Sequence, residues 1–473
     1  MNVEGNPVAT FLDVLPPACD VLRPYQLLQL AKLSRSLHSG AQHVLLQLPT
    51  GAGKTHEIAA IALSGSRSGL RVLILATRVR LVRQIHERLD AFGVPHGVIA
   101  APLPELLNNA QLVQVASVDT LYRRANVDER MPLSPAEVVI FDEAHLAAAQ
   151  SRLAILESYP DAIRIGFSAT PARKSGAPLG TVFRHLIPGP STQALIRAGM
   201  LVRPRVFNVP VVTEGELAAL PKDAANDYAS GALGTLLSQP KLIGDVLSNW
   251  LRLANGKRTI IFASSKAHGA QLTQEFCRAG VAAELVTDQD DERSREAVFG
   301  RLESGQTKVV CNVFLAAYGI DIPAVECIVL ARPTRSVVMF LQMVGRGLRT
   351  APGKEHCLVI DHGRVIDSLG LPQADREWTL DDSRNVNREA FESHGRKSAQ
   401  EQPRTCPECK HLWLVSEEGT ACGHCGWVPA PKPKGIAVQD AELGELDVDG
   451  HASPTPHSPA VQQFFREAVA FYA

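Results

Sequence analysis

Leu48-Pro49-Thr50-Gly51-Ala52-Gly53-Lys54-Thr55 is the stretch from which the rest of the chain is read. Val44-Leu45-Leu46 before it is short and apolar, as a buried strand is, and residues 55–63 after it are helix-compatible. Strand, glycine-rich turn and helix is the context of a phosphate-binding loop. Gly51 and Gly53 let the backbone curl so that its N–H groups point inward at phosphate oxygens, and the helix adds its positive dipole end. Thr50, Gly51, Ala52 and Gly53 then form a cradle, Lys54 reaches the β- and γ-phosphates, and Thr55 ligates Mg²⁺. Leu48 stands where the usual pattern begins with Gly.

Short apolar runs recur beyond the loop: Arg71-Val72-Leu73-Ile74-Leu75-Ala76, Leu112-Val113-Gln114-Val115, Val138-Val139-Ile140-Phe141 and Ile163-Arg164-Ile165-Gly166-Phe167. Helix-like stretches separate them, which predicts a parallel sheet covered on both faces. Ligands bind at the carboxyl ends of such strands. The Val138 run ends in Asp142-Glu143-Ala144-His145. There Asp142 can hold Mg²⁺, and Glu143 can orient or deprotonate an attacking water, as phosphate hydrolysis requires. The Ile163 run ends in Ser168-Ala169-Thr170-Pro171, whose hydroxyls can link a hydrolysis site to a second lobe. Ahead of the loop, Arg23 and Gln26 of Leu22-Arg23-Pro24-Tyr25-Gln26 can hydrogen-bond a purine edge, and Tyr25 can stack on it.

These pieces resemble, in order, the motifs of superfamily 2 helicases and translocases. The resemblance is closest to the DNA-tracking group ending its acidic motif in His, which includes restriction-enzyme motor subunits and uncharacterised phage and prophage helicases. It covers residues 22–362 and implies two tandem RecA-like α/β lobes that close on ATP. It also implies that Thr77, Arg78, Ser117 and Thr120 grip the backbone of the tracked strand. Short hydroxyls, Arg and exposed N–H groups suit phosphate contacts without base reading.

A second alternating pattern runs through residues 258–263, 283–286, 308–311, 327–330 and 358–361, with no phosphate loop of its own. This predicts the second lobe. Gln342-Met343-Val344-Gly345-Arg346-Gly347-Leu348-Arg349 can supply the charge that makes closure sensitive to nucleotide. On a helix, the i, i+3 spacing puts Arg346 and Arg349 on one face. The resemblance implies that both arginines face the nucleotide and that Gln342 helps position water. It also implies that Gly319 and Asp321, within the coupling segment 312–323, contribute to the nucleotide site, although Tyr318 stands where Glu is common. Ser264 resembles a strand-backbone contact of the second lobe.

Near the C-terminus, Cys406-Pro407-Glu408-Cys409 and Cys422-Gly423-His424-Cys425 are two Cys-x-x-Cys knuckles. Their four thiolates predict a zinc ribbon binding Zn²⁺. The other five of nine cysteines are scattered, which argues for a reducing compartment and against a disulfide framework. Formal net charge is −1, so any nucleic acid must be held by local grooves. There is no run of about 20 apolar residues, and residues 1–19 lack the pattern of a signal peptide. A cytoplasmic location is expected, with no membrane partner.

The 473 residues divide into an N-terminal extension (1–19), an ATP-binding lobe (20–190), a connector (191–249) and a second lobe (250–368). A polar strut (369–402), a ribbon separate from the motor (403–428) and a Pro-rich linker with a terminal helix (429–473) follow. The fold class expected is α/β, two tandem RecA-like parallel-sheet lobes plus a small four-cysteine zinc ribbon. The expected function is ATP-dependent movement along nucleic acid, DNA favoured over RNA, with a nuclease or replication protein as partner. The alternatives are an ATP-gated clamp without processive unwinding and the motor subunit of a restriction-type nuclease.

Overall fold

The computed structural model describes residues 10–13, 21–128, 133–172, 178–223, 227–313, 322–381 and 403–429. Gly319 and Asp321 lie outside them, as does the terminal helix expected within 429–473. In the first lobe, β1 (His43–Gln47), β2 (Val72–Ala76), β3 (His96–Ile99), β4 (Val113–Ser117), β5 (Val138–Asp142), β6 (Ile163–Ser168) and β7 (His185–Pro188) form one parallel sheet. Their order is β3-β4-β2-β5-β6-β1-β7. Side chains alternate across it as strand geometry requires. Leu45, Leu73, Leu75, Val139 and Phe141 enter one apolar cluster, whereas Val44, Leu46, Ile74, Val138 and Ile140 enter the other. Each such burial stabilises by roughly 1.5–3 kcal/mol. Three helices matter for the site: α1 (Pro24–His38), α2 (Lys54–Arg67) and α3 (Val79–Ala91). On α3, Leu81, Val82, Ile85 and Leu89 form the buried stripe.

The second sheet contains β8 (Arg203–Asn208), β9 (Thr259–Ala263), β10 (Ala283–Val286), β11 (Val309–Val313), β12 (Cys327–Leu330), β13 (His356–Asp361), β14 (Arg404–Thr405) and β15 (His411–Trp413). Their order is β10-β11-β9-β12-β13-β8-β15-β14. β8 lies inside the stretch read as connector, so the second lobe takes its first strand from 203–208, well before residue 250. Pro204 and two exposed arginines hide this strand in the sequence. Helix α4 (Pro240–Ala254) belongs to the same lobe: Trp250 is buried in its core, and its indole N–H donates to Thr259 Oγ1 at 2.8 Å. Between β8 and α4, two short helices gather around Val212, Leu217, Leu233 and Leu237. Asp227 ties this small insertion down, accepting from Thr334 Oγ1 at 2.7 Å and Arg335 N at 2.8 Å.

Two further expectations are corrected. The ribbon is not a unit apart from the motor. β15 pairs antiparallel with β8, opposing His411 to Phe207 and Leu412 to Val206, and so extends the second sheet. Loss of the knuckles should therefore reach beyond the ribbon. Cys406→Ser is expected to lower the melting temperature of the chain by several degrees, read by calorimetry beside zinc content. Zinc loss with unchanged melting would show that the ribbon supports nothing outside itself.

Nor are residues 369–381 a polar strut. Leu371 is buried in the cluster that holds the second lobe's core, Trp378 packs against it, and Leu380 is buried in the first lobe's cluster. Gly180 N donates to Leu380 O at 3.1 Å. The half-buried guanidinium of Arg376 donates to the carbonyls of Leu369, Leu371, Pro372 and Ala374, fixing the turn of this strap. Leu380→Asp puts a charge into an apolar cluster and is expected to release the strap. Tryptic cleavage after Arg376 should rise by about tenfold or more; unchanged cleavage would show that the strap is anchored elsewhere. Among the described residues, no helix is long and apolar enough to cross a membrane.

Candidate active site

The loop after β1 has the backbone that its glycines predict. Gly51 and Gly53 both sit at φ 85°, a left-handed conformation that favours glycine. Gly53 caps α2, which starts on Lys54. The first turn of α1 holds this loop through its carbonyls. Tyr25 Oη donates to Ala52 O at 2.7 Å, and Gln26 Nε2 donates to Gly53 O at 2.9 Å. Gln26 Oε1 accepts from Arg23 N at 2.8 Å. Both ends of the Gln26 amide are thus engaged within the chain, and Gln26 shapes the loop. Arg23 and Gln26 still line the same cavity as Lys54.

β1, β6 and β5 are neighbours, which brings the loop, Ser168 and the acidic pair to one end of the sheet. Glu143 adopts φ 53°, unusual for a residue with a Cβ, and its N–H donates to Asp142 Oδ1 at 2.9 Å. Burial and the adjacent Glu143 carboxylate push Asp142 up to about 6. Burial acts upward on Glu143 too, but Lys54, His145 and Arg346 outweigh it and hold that carboxyl low. The pair thus carries one firmly ionised carboxylate and one that favours a nearby cation. Thr55 and Asp142 line the same cavity and offer hard oxygen donors, the set that fits Mg²⁺.

The cavity measures about 920 Å³ and is walled by both lobes. The first lobe contributes Thr50, Gly51, Gly53, Lys54, Thr55, Asp142 and Glu143; the second contributes Arg346 and Arg349. Arg346 and Arg349 do not share a helical face as the spacing suggested. Helix α7 (Val337–Gly345, counting α5 at Lys266–Arg278 and α6 at Glu292–Ser304) ends before them, and Arg349 bridges to Leu201. Gly345 and Gly347 break the helix, and the turn aims both side chains into the cavity. Gly345 packs so closely on the loop that a Cβ there would lie 2.5 Å from Thr50 Cβ. Lys354 Nζ pins the turn by donating to Arg349 O at 2.8 Å and Pro323 O at 2.9 Å.

Four side chains meet behind this cavity, Gln342 from the second lobe and Glu143, His145 and Ser168 from the first. His145 Nδ1 lies 3.2 Å from Glu143 Oε2 and 3.4 Å from Ser168 Oγ. Gln342 Nε2 lies 3.5 Å from His145 Nε2. The sequence reading quoted His145 without giving it this role; its position after the acidic pair was the signal. It also missed that Arg80, Arg83 and Arg88 of α3 line the cavity. Arg80 and Arg83 lie opposite the buried stripe and Arg88 flanks it.

The residues expected to grip a strand are placed at strand ends. Thr77 follows β2, Ser117 ends the neighbouring β4 and Ser264 follows β9. All three are buried, whereas Arg78 is exposed. Ser264 Oγ lies 2.9 Å from His268 Nδ1, and Thr120 Oγ1 accepts from Ala101 N at 3.2 Å. Cys406, Cys409, Cys422 and Cys425 come together, with Sγ separations of 3.6 Å for Cys406–Cys425 and Cys409–Cys422. A tetrahedral zinc–thiolate site, with Zn–S near 2.3 Å, has sulfurs about 3.8 Å apart, so the set fits that ion.

Residues 20–173 match the family described as type III restriction enzyme, res subunit, and residues 241–351 match the helicase conserved C-terminal domain. The chain is 29% identical over 385 residues to a 51.5 kDa protein of a Lactococcus phage, spanning 81% of this chain and 77% of that one. It is 27% identical over 368 residues to a Saccharomyces cerevisiae protein described as an ATP-dependent helicase, IRC3, spanning 72% of this chain and 51% of the relative. The chain therefore spans about half the length of that yeast relative. Its fold is similar to a structure described as a fragment of an HsdR subunit of a type I restriction enzyme from Vibrio vulnificus. That match has a TM-score of 0.58 at 20% identity and covers 77% of this chain and 68% of the other.

Proposed function

The chain has the two-lobe fold of the superfamily 2 helicases, and from that premise we propose that it is an ATP-dependent helicase or translocase acting on DNA. The observation that carries this reading is the cavity shared by Lys54, Asp142 and Glu143 from one lobe and Arg346 and Arg349 from the other. Lys54 binds the β- and γ-phosphates, and Thr55 and Asp142 are the residues that would hold Mg²⁺. When bound, Mg²⁺ supplies charge neutralisation across the phosphate oxygens. Glu143 orients or deprotonates the attacking water, and Lys54, His145 and Arg346 keep its carboxylate ionised for either task. Arg346 and Arg349 stabilise charge on the transferring group only while the lobes are together. Gln342 and His145 carry the state of the Glu143 carboxylate across the lobe boundary.

The match of residues 20–173 to a restriction-enzyme subunit family supports DNA over RNA, and it supports a nuclease as the class of partner. Arg78 and Thr120 offer side-chain contacts to the strand, and Thr77, Ser117 and Ser264, buried at the strand ends beside them, contribute through backbone groups, with Gly319 and Asp321 in the coupling segment. The four cysteines hold Zn²⁺, and His411, with Nδ1 3.7 Å from Cys422 Sγ, supports one thiolate. Displacement of the shorter strand from a tailed DNA duplex, driven by ATP, tests the reading. Nucleotide-dependent DNA binding without displacement or translocation would favour a clamp.

A further inference from the structure

Helix α3 and strand β3 bring together three side chains that ATP hydrolysis does not use: His86, Asp90 and His96. His86 and Asp90 are one turn apart on α3. The chain reverses through Gly93, at φ 66°, and β3 then begins on His96 at the edge of the first sheet. His86 Nδ1 and His96 Nε2 are 2.8 Å apart. The Asp90 carboxylate stands 3.6 Å from His86 Nε2 and 4.0 Å from His96 Nδ1. One donor atom from each residue lies within 4.8 Å of the other two.

The hydrogen bonds fix what each ring offers. His96 Nδ1 lies 2.7 Å from Val94 O, so that nitrogen carries the proton and Nε2 presents its lone pair to His86. A backbone carbonyl behind one ring nitrogen is the support that orients metal-binding imidazoles. The His96 side chain is only 3% exposed and cannot readily turn away. If His86 is neutral and donates through Nδ1, its Nε2 lone pair is left facing the Asp90 carboxylate. A metal ion in the cluster would meet imidazole nitrogens and a carboxylate together.

We propose that His86, Asp90 and His96 form a binding site for a divalent transition-metal ion of the zinc class, with water completing the shell. Two imidazoles and a carboxylate make a recognised donor set for such ions. Zn–N bonds of about 2.0–2.1 Å in a tetrahedron place two nitrogens about 3.3 Å apart, roughly half an ångström wider than His86 Nδ1 and His96 Nε2 are here, and Asp90, which faces the other nitrogen of each ring, must swing round to reach the same ion. His86 and the exposed Asp90 can make that adjustment around a fixed His96. The ion staples the C-terminal half of α3 to the edge strand. The same helix presents Arg80, Arg83 and Arg88 to the ATP cavity, so the site stiffens one wall of it.

Zinc titration of the full-length chain and of His86→Ala, side by side, tests this; the four cysteines are the same in both. The wild type is expected to take up one more Zn²⁺ per chain than His86→Ala. Asp90→Asn should bind that extra ion about tenfold more weakly. With Co²⁺ as the probe, the extra ion should add visible ligand-field bands with no added thiolate charge-transfer absorption. Equal zinc uptake by wild type and His86→Ala would overturn the proposal. An extra ion with thiolate absorption would assign it to the cysteines and overturn it as well.

Discussion

Lys54→Ala is expected to lower ATP hydrolysis by a factor on the order of 10³ or more. Lys54 starts the helix behind the glycine turn and shares the cavity with Asp142 and Glu143. Without it, two adjacent carboxylates face the phosphates with one fewer compensating charge. The loop should survive the change, because Tyr25 and Gln26 hold it through the carbonyls of Ala52 and Gly53. Circular dichroism and melting should therefore match the wild type while turnover vanishes. Retained turnover in a folded Lys54→Ala chain would remove the loop from the catalytic account.

Arg346→Ala and Arg349→Ala should each lower kcat by roughly 10³, with KM for ATP moving by less than about tenfold. Both residues come from the second lobe, so their contact with nucleotide depends on lobe closure. Such an interaction is worth most in the transition state and little in initial binding. Equal losses in kcat and affinity would make them ordinary binding residues. Normal turnover in both would move the cationic group elsewhere, with Arg80, Arg83 and Arg88 the next candidates on the cavity wall.

The central strands were legible because burial on both faces leaves nearly continuous apolar runs, as in Val72–Ala76 and Val138–Asp142. The motifs at their ends were legible for the same reason: a polar residue right after such a run lies at the sheet's carboxyl edge. Strands with polar or proline-containing sequences were missed. β7 is His-Leu-Ile-Pro with two exposed positions, and β8 exposes Arg203 and Arg205 around Pro204. The ribbon's docking was hidden because it rests on two residues, His411 and Leu412, pairing with a strand about two hundred positions earlier. The strap was hidden by its polar composition; Leu371, Trp378 and Leu380 are too widely spaced to announce burial.

At the site, local spacing misled where glycine intervened. The i, i+3 argument for Arg346 and Arg349 assumed a helix that Gly345 and Gly347 end, yet both side chains still reach the cavity. The partners of the Gln26 amide in the loop are 26 and more positions away and leave no local pattern. The link from Glu143 through His145 to Gln342 spans 197 positions between its last two members, and no local pattern encodes it.

The most direct test of the account is the rate of ATP hydrolysis by the full chain with no nucleic acid and with single-stranded DNA, duplex DNA or RNA. An ATP-driven DNA motor predicts low basal turnover, raised at least about tenfold by DNA and less by RNA. It also predicts that Lys54→Ala abolishes the stimulated rate. Turnover indifferent to all three nucleic acids, in a folded chain that hydrolyses ATP, would contradict the claim that this cleft powers movement along a strand.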